Sequence, residues 1–525
     1  MLLAQYTIRS KQDYIFKTNR VLEIMGASEN VAKAWEMLFY TAGTESLKYK
    51  RAENGGSFQL EEIKKEFETG ELDFIELFCG GGNETLLFGS ECILREDGKK
   101  SPDNDSSFIK LNRAFSYKIL KEYPGMIPMV VYTEATGDYS GDYRRLMEEA
   151  ERKKSVMEPL WDLFTAPFAM MDRSTFRPYS AVLRIGNRDV RMSDESISKY
   201  WVGMNLRENN EDIRFFDEMI TQKGKESLLA VVHADGNNMG AKIMDMLHNE
   251  SNYDIAIPLM RKFTQTTADC FETQGEIALK ECQNKLEHKY SRLIEEGRLK
   301  RSSLAYRRVI GSGDDATFIC NARFVMDYVK AYLDSVQEYS ALHHSDWKYS
   351  SCAGICIFHS HYPFSRAYSI AEQACDSAKE KVHVKGEEGS TLEQGWIDFH
   401  FIHSGISGEL DEIRKNQGID KCIARPWLLS FDQKEESGKD IYSYDDLLKL
   451  KKIFEDKGVS RSSIKTIGSA YERSKGAALK ELISLYGHTP DLQNSIESIY
   501  QDSDIYLKAL YDFAEIYDLW YSEVK

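Results

Sequence analysis

The feature of this sequence that most constrains its fold is an approximate internal duplication of one strand-and-helix pattern. In the second half, an apolar run at 228–235 ends in Asp235, and a helical stretch follows it. After an inserted, charged helical segment come two short apolar runs, at 306–311 and 316–320, which a Ser-Gly-Asp-Asp sequence joins. Glycine and aspartate between apolar runs are typical of a hairpin turn. The runs therefore predict a strand, a helical region and a β-hairpin.

The second copy then continues with a helix, a strand, another helix and a last strand. Asn321 is expected to cap the first of these helices, whose apolar residues recur at helical spacing. The remaining elements are predicted at 350–359, 365–382 and 396–403. The order is β-α-β-β-α-β with an extra helix, which predicts a ferredoxin-like unit.

The first half repeats this pattern. Its predicted elements are a strand at 2–10, a helix capped by Ser28, hairpin strands at 74–79 and 85–89, a helix at 108–123 and a strand at 126–133. Aligning the two hairpins places Asn83 opposite Asp314 and Glu84 opposite Asp315. Both copies thus have a glycine-containing turn between two strands, but only the second has a pair of aspartates.

Three carboxylates make the second copy the predicted reaction centre. Each acid alone is also explained by turn or strand-end chemistry, but three of them in this order on neighbouring strands predict a site for divalent metal ions. Mg²⁺ prefers carboxylate oxygens, and two such ions can activate a 3′-hydroxyl and offset the charge of leaving pyrophosphate. We therefore predict a metal-dependent nucleotidyltransferase, with Asp235, Asp314 and Asp315 as its metal ligands and catalytic residues.

Residues beside these acids indicate how a nucleotide would be held. The segment 236–240 opens a helix, and backbone N–H groups at a helix start can bind phosphates. Lys379 and Lys381 lie off the apolar stripe of the helix predicted at 365–382, so either ammonium could reach a triphosphate. A solvated helix face explains the two lysines equally well.

Composition narrows the class of protein. The 525 residues carry a net charge of −16, which argues against a protein that coats nucleic acid by releasing counterions. Nine cysteines are scattered without a Cys-x-x-Cys pair, which favours reduced thiols. We find neither a signal peptide nor an apolar run near the ~18 residues of a membrane span. A cytoplasmic location is therefore expected.

Five segments of the second half are similar to the second palm domain of the large subunit of type III CRISPR effector complexes. They read DGNNMG (235–240), SGDD (312–315), SCAGICIF (351–358), AEQACDSAKEK (371–381) and WIDFH (396–400). Residues 8–28 and the segment GGGNETLLF (80–88) resemble the first palm of the same subunit. The similarity spans residues 1–404, and a helical tail follows where the family has a C-terminal helical domain.

Duplication and resemblance together predict an α+β protein. It should contain two ferredoxin-like palm domains of the β-α-β-β-α-β type and an appended all-α C-terminal domain. The expected boundaries are 1–137 for the first, degenerate palm, 138–225 for an insertion or linker with helices, 226–404 for the second, catalytic palm, and 405–525 for the C-terminal helical domain.

The resemblance also implies a function. It implies ATP as substrate, Mg²⁺ or Mn²⁺ as cofactor, and a cyclic oligoadenylate second messenger as product in antiviral defence. The nucleotide-binding candidates that it implies are Asn237, Asn238, Gly313, Ser351 and Lys379. The implied partners are CRISPR effector subunits with guide RNA and target RNA, whereas neither membrane nor DNA is expected as a partner.

The sequence departs from the family pattern at three points. Ser312 stands where the family usually has glycine, the His-Asp dipeptide of the family's HD nuclease is missing, and so is its zinc-binding cysteine module. We therefore expect either the large subunit itself or a trimmed, stand-alone relative. Two other interpretations stay open: a non-catalytic palm scaffold of a CRISPR ribonucleoprotein, and a cyclic dinucleotide synthase or adenylyl transferase that uses GTP or another acceptor.

Overall fold

A computed structural model describes most of the chain. The described residues are 1–52, 56–94, 100–156, 170–185, 188–209, 218–220, 227–248, 250–382, 394–402, 408–429, 442–500 and 503–520. They form two compact units: the first comprises Met1–Arg214, Asn238–Glu272 and Val309–Asp314, and the second Phe215–Asn237, Thr273–Arg308 and Asp315–Lys525. No helix in the described part is long and apolar enough to cross a membrane.

The first unit contains nine strands and nine helices among its described residues. The strands are β1 (Leu2–Ile8), β2 (Tyr49–Lys50), β3 (Phe74–Gly80), β4 (Asn83–Phe88), β5 (Cys92–Leu94), β6 (Lys100–Pro102), β7 (Pro128–Glu134), β8 (Ala181–Ile185) and β9 (Arg188–Met192). The helices are α1 (Lys11–Phe16), α2 (Val21–Ala32), α3 (Ala34–Thr44), α4 (Leu60–Glu68), α5 (Ser107–Glu122), α6 (Tyr139–Ser155), α7 (Asp194–Asn209), α8 (Met239–Leu247) and α9 (Tyr253–Ala268).

The main sheet of this unit, here called the first sheet, has the order β2-β3-β4-β1-β7. β1 lies between β4 and β7 and is antiparallel to both, while β3 and β4 form a hairpin. The strands β3-β4-β1-β7 are in ferredoxin-like order, because the first strand of the motif lies between its third and fourth strands. β5 with β6 and β8 with β9 form separate two-stranded sheets.

Apolar side chains cover both faces of the first sheet. On one face, the Phe74 and Phe88 rings stack with centroids 5.0 Å apart, and Phe108 of α5 packs edge-on against Phe88 at 5.2 Å. On the other face, Leu3 and Leu87 share a buried cluster with residues of α4, α6, α8 and α9. Each such side chain stabilises the fold by about 1.5–3 kcal/mol when fully buried.

Six strands and ten α-helices follow among the described residues, and they belong to the second unit except that residues 309–312 belong to the first. The strands are β10 (Leu228–Gly236), β11 (Tyr306–Ser312), β12 (Asp315–Asn321), β13 (Ser351–His359), β14 (Trp396–Phe401) and β15 (Trp427–Leu428). The helices are α10 (Gly275–Lys289), α11 (Ser291–Glu295), α12 (Val325–Leu342), α13 (Phe364–Val382), α14 (Leu410–Gln417), α15 (Tyr444–Asp456), α16 (Arg461–Arg473), α17 (Lys475–His488), α18 (Leu492–Glu497) and α19 (Ser503–Ile516).

The sheet of this unit, the second sheet, has the order β11-β12-β10-β13-β14-β15. Its first four strands repeat the ferredoxin-like order, and β14 extends the sheet parallel to β13. Helix α13 lies directly on one face, since a Cβ added to Gly354 would be 1.9 Å from the Ala371 carbonyl oxygen. On the opposite face, Phe318 packs against Tyr328 and Tyr332 of α12.

A buried ionic network joins the C-terminal helices to the second sheet. Arg414 donates to both carboxylate oxygens of Asp398 in β14, at 3.0 and 2.7 Å. Arg425 is fully buried and donates to Asp512 of α19 at 3.0 Å. The indole of Trp427 in β15 donates to the same Asp512 carboxylate at 2.8 Å. The network thus connects β14, β15 and α19 through charge-assisted hydrogen bonds.

The expected α+β class with two ferredoxin-like sheets and a C-terminal helical region is confirmed. Two details differ. Ser28 does not cap a helix: it lies inside α2, and its hydroxyl donates to the Val309 carbonyl. The segment predicted to be wholly helical also contributes a strand, β15, because Trp427 and Leu428 pair with the free edge of β14.

Candidate metal and nucleotide site

The candidate site lies where β10 ends and β12 begins. Along β10, His233 and Asp235 are two residues apart, so their side chains lie on the same face of the sheet. His233 pairs with Thr317 of β12 and with Gly354 of β13. Asp315 is two residues before Thr317 and shares its face. This is the face that α13 covers, because the His233 ring contacts Tyr368 of α13 with centroids 5.6 Å apart.

Three side chains converge at this point. Ligand atoms of His233, Asp235 and Asp315 all lie within 4.8 Å of one another, so they could share one metal ion. Among the described residues, Asp314 is not in this group; it is the second residue of the turn between β11 and β12. Carboxylate oxygens suit Mg²⁺ and Mn²⁺, and an imidazole adds a donor that transition metals accept more readily. The donor set therefore fits a divalent cation.

His233 is the site residue that the motifs did not indicate. Its side chain is buried, and Nδ1 lies 3.2 Å from the Thr317 hydroxyl. Burial lowers the pKa of His233 to about 4; the Asp235 carboxylate opposes this shift and Lys379 adds to it. The imidazole is therefore neutral at physiological pH, as a metal-binding histidine must be. Only the position of His233, two residues before Asp235 in a strand, signalled this role.

Lys379 of α13 reaches the same carboxylate. Its ammonium contacts Oδ2 of Asp235 and donates to the Gly236 carbonyl at 3.1 Å. Both side chains are about three-quarters buried, with exposed fractions of 27% and 28%. That Lys379 contacts a triphosphate stays a prediction, and Lys381, the other lysine considered for that role, is exposed on the same helix. The ammonium thus offsets the charge of a candidate metal ligand.

Asn237 and Ser351 form hydrogen bonds that hold the backbone at the end of β10. Asn237 is buried, and its amide donates to the Ser350 hydroxyl at 2.9 Å and to the Gln394 carbonyl at 3.1 Å. The Ser351 hydroxyl donates to the Asp235 carbonyl at 3.0 Å. That both residues bind nucleotide stays a prediction, and in these contacts their polar groups fix the backbone that carries Asp235.

The other two nucleotide-binding candidates occupy special backbone positions. Asn238 has φ 56°, a left-handed conformation that turns the chain from β10 into α8. Gly313 has φ 68° and donates its N–H to the Glu272 carboxylate at 2.6 Å. Asparagine and glycine are the residues that tolerate such conformations. The structure therefore gives both residues a backbone role.

The two β-hairpins can now be compared residue by residue. Both have two-residue turns, at 81–82 and 313–314, and the strands after them begin at Asn83 and Asp315. Asn83 therefore corresponds to Asp315, and Glu84 to Ala316. The predicted alignment of these residues was wrong by one position, because Gly80 belongs to β3 and not to the turn.

No carboxylate of the second hairpin has an acidic counterpart in the first. By the same alignment, Gly82 takes the place of Asp314, and Asn83 that of Asp315. Tyr6 pairs with Glu84 as Ala234 pairs with Ala316. The next residue of β1 is Thr7, which therefore takes the place of Asp235. The first sheet thus lacks the metal ligands at all three positions.

A comparison with known protein families finds a match in the part of the chain that contains the candidate site. Residues 228–386 match the family described as Cas10/Cmr2, second palm domain. This chain contains a Cas10-like palm. The matched region contains β10, β12, β13 and α13, so the converging residues of the candidate site all lie within the second palm. That the first sheet is the degenerate palm stays a prediction.

Three solved structures are similar to the chain at low identity. A crystal structure of a Csm1–Csm4 cassette in complex with cA4 is 12% identical, with 99% of this chain and 69% of that chain covered and a TM-score of 0.46. A cryo-EM structure of a type III-B Cmr-beta complex in the apo state is 11% identical, with 99% and 82% covered and a TM-score of 0.49. Csm1 from T. onnurineus is 12% identical, with 98% and 69% covered and a TM-score of 0.45. A comparison with curated proteins gives no match.

Proposed function

We propose that this chain is a metal-dependent nucleotidyltransferase that joins ATP molecules into a cyclic oligoadenylate-type messenger in CRISPR-type antiviral defence. The observation that carries the proposal is the convergence of His233, Asp235 and Asp315 within a Cas10/Cmr2-type second palm. A non-catalytic scaffold would not need an imidazole and two acids with ligand atoms within 4.8 Å of one another.

In this proposal, Asp235 and Asp315 hold Mg²⁺ or Mn²⁺, and His233 supplies a third donor. A bound divalent cation would make a 3′-hydroxyl more acidic and offset the charge on the departing pyrophosphate. Asp314, in the turn beside Asp315, is retained as a catalytic candidate. Because the first sheet lacks acids at the three equivalent positions, we place one such metal centre among the described residues of the chain.

The protein's own residues would bind and orient the nucleotide. Lys379 would leave Asp235 and contact a phosphate, since an ammonium on a flexible stem can serve either anion. Asn237 and Ser351 would hold the end of β10 in place through the hydrogen bonds that they make now. Asn238 and Gly313 would shape the backbone on either side of the acids.

The proposal also covers the domain boundaries, the cellular location and the partners of the protein. We retain the domain boundaries predicted from the sequence, a cytoplasmic location, and CRISPR effector subunits with guide and target RNA as partners. One of the similar structures is a Csm1–Csm4 cassette in complex with cA4, which are assembly and ligand of that protein.

Thermal unfolding with ATP and Mn²⁺ tests the proposal against a scaffold. A ligand that binds only the folded protein raises its stability by mass action, by about 2.7 kcal/mol at a hundredfold excess over Kd. We expect ATP to raise the Tm more with Mn²⁺ or Mg²⁺ than with EDTA, and Asp235→Asn to remove the metal-dependent part. A scaffold would show no metal-dependent shift with ATP or GTP.

A further inference from the structure

The turn that carries Asp314 is held by a carboxylate from another element. Glu272 Oε1 accepts the Gly313 backbone N–H at 2.6 Å, and both residues belong to the first unit. A hydrogen bond between an amide N–H and an ionised carboxylate is about twice as strong as one between neutral groups. Gly313 directly precedes the two aspartates of the hairpin, so this bond acts on the backbone that positions them.

Glu272 lies in a locally widened segment of its helix. Residues Asp269–Gln274 form a π-helical segment between α9 and α10. A π-helical turn has one more residue than an α-helical turn, so it rotates the residues that follow it by about 100° relative to an unbroken helix. Such π-helical segments occur often at functional sites.

The same turn is supported from a second direction by the hairpin of the first palm. A Cβ added to Gly313 would lie 2.8 Å from Cα and 3.0 Å from the backbone nitrogen of Gly81. Gly81, with φ 58°, is the first residue of the turn between β3 and β4. Lys11 donates to the Gly81 carbonyl at 3.2 Å. The two turns therefore touch backbone to backbone, and residue 313 must be glycine for both φ and space.

We propose that Glu272 is a positioning residue that fixes the Gly313 turn, and through it Asp314 and Asp315, against the turn at Gly81. The proposal rests on the proposed transferase function for its catalytic consequence, but the clamp on the turn is a property of the fold. It assigns the degenerate palm a task that needs no metal ligand. The contact requires only a glycine backbone at the tip of its hairpin.

Two substitutions of Glu272 separate the loss of its hydrogen-bond acceptor from the loss of its negative charge. Glu272→Ala removes the acceptor, whereas Glu272→Gln keeps an amide oxygen that can accept the Gly313 N–H without a negative charge. Glu281→Ala is the matched control, because Glu281 is exposed on α10 and its loss changes the net charge equally. The readouts are hydrogen exchange of peptides covering 309–317, the Mn²⁺ affinity, and kcat and KM for ATP.

Glu272→Ala should speed exchange in that peptide and lower kcat by about tenfold or more, since small misplacements of reacting groups are costly. KM for ATP and the Tm should change little, Glu272→Gln should restore most of kcat, and Glu281→Ala should resemble wild type. Exchange at 309–317 equal in Glu272→Ala and Glu281→Ala would overturn the proposal. Equally fast hydrogen exchange at 309–317 in Glu272→Gln and Glu272→Ala would also overturn it. Hydrogen exchange needs no turnover, so failure of the transferase function alone would leave these exchange results unchanged.

Discussion

The ammonium of Lys379 contacts the carboxylate of Asp235, the next-to-last residue of β10. The same ammonium donates to the Gly236 carbonyl at 3.1 Å. A cation thus already sits on one of the three groups that could share a metal ion. A metal ion bound to this group would therefore compete with Lys379 for Asp235.

This competition predicts opposite effects on two ligands. Lys379→Met should strengthen Mn²⁺ binding without nucleotide by about two- to fivefold, the range expected for a partly exposed ion pair. It should also raise the KM for ATP, because the ammonium is then lost to the phosphates. Titration of Mn²⁺ followed by electron paramagnetic resonance would measure the first effect. Lys381→Met, two residues along the same helix, should change neither; weaker Mn²⁺ binding in Lys379→Met would contradict the competition.

The two acids of the hairpin should not be equivalent. Asp315→Asn and Asp235→Asn should each lower turnover by about a hundredfold or more, since each removes a charge that holds the metal in place. Asp314→Asn alone should cost less, because Asp314 is outside the converging group. Asn83→Ala, in the first palm, should cost least. The rate of pyrophosphate release would rank the four variants, provided that their Tm values equal that of wild type. A larger loss of turnover in Asn83→Ala than in Asp315→Asn would mean that the palms are assigned in the wrong order.

The sequence-based prediction brought the acids together because they follow recognisable strands and a hairpin, and their role as metal ligands stays a prediction. Asp235 and Asp315 are separated by 80 positions, yet the repeated pattern was enough to put their strands side by side. His233 could not be found in this way. Its relevance depends on which face of β10 lies under α13, and that follows from packing rather than from a motif.

Long-range contacts also explain where the predictions were too coarse. Asn237 stays a predicted nucleotide-binding residue, and its partners Ser350 and Gln394, which lie more than 110 positions away, could not be found from the sequence. The hairpin alignment slipped by one residue because three consecutive glycines gave no sign of where β3 ends. β15 was missed because its two residues are a strand only through pairing with β14.

Glu84 gives a pH-dependent prediction for the first palm. Burial, and next the neighbouring Glu76 carboxyl, raise the pKa of Glu84 well above its ordinary value. Because the pKa of Glu84 is higher in the folded protein, the contribution of its protonated carboxyl to stability is complete below the unfolded-state pKa near 4.5. This contribution is lost as pH rises through the folded-state pKa. Glu84→Gln stays neutral, so its stability relative to wild type should increase with pH, by up to about 1.4 kcal/mol per pH unit in that window.

Urea denaturation between pH 5 and pH 9 would measure this difference. Glu61→Gln is the control, because Glu61 is exposed on α4. Its stability relative to wild type should not grow with pH over the same range. A constant difference for Glu84→Gln would show that the Glu84 carboxyl is ionised in the folded protein.

Asp512 should be among the most sensitive positions for stability. Its carboxylate accepts the backbone N–H groups of Ala424 and Arg425, at 3.1 and 2.8 Å, besides the Arg425 and Trp427 side chains. Asp512→Ala would leave a buried guanidinium without this partner, which costs about 3–5 kcal/mol. Asp518→Ala breaks a half-exposed pair with Arg461 and should cost less than about 1 kcal/mol. Equal losses in guanidinium chloride unfolding would contradict this difference in burial.

The most direct test of the central claim is the product formed from ATP. Purified protein with ATP and Mn²⁺ or Mg²⁺, in parallel alone and with CRISPR effector subunits and guide and target RNA, should release pyrophosphate. Mass spectrometry should then detect phosphodiester-linked adenylates that the Asp235→Asn and Asp315→Asn variants do not form. Absence of linked nucleotides from ATP and from GTP, with both metals and these partners present, would contradict the transferase account.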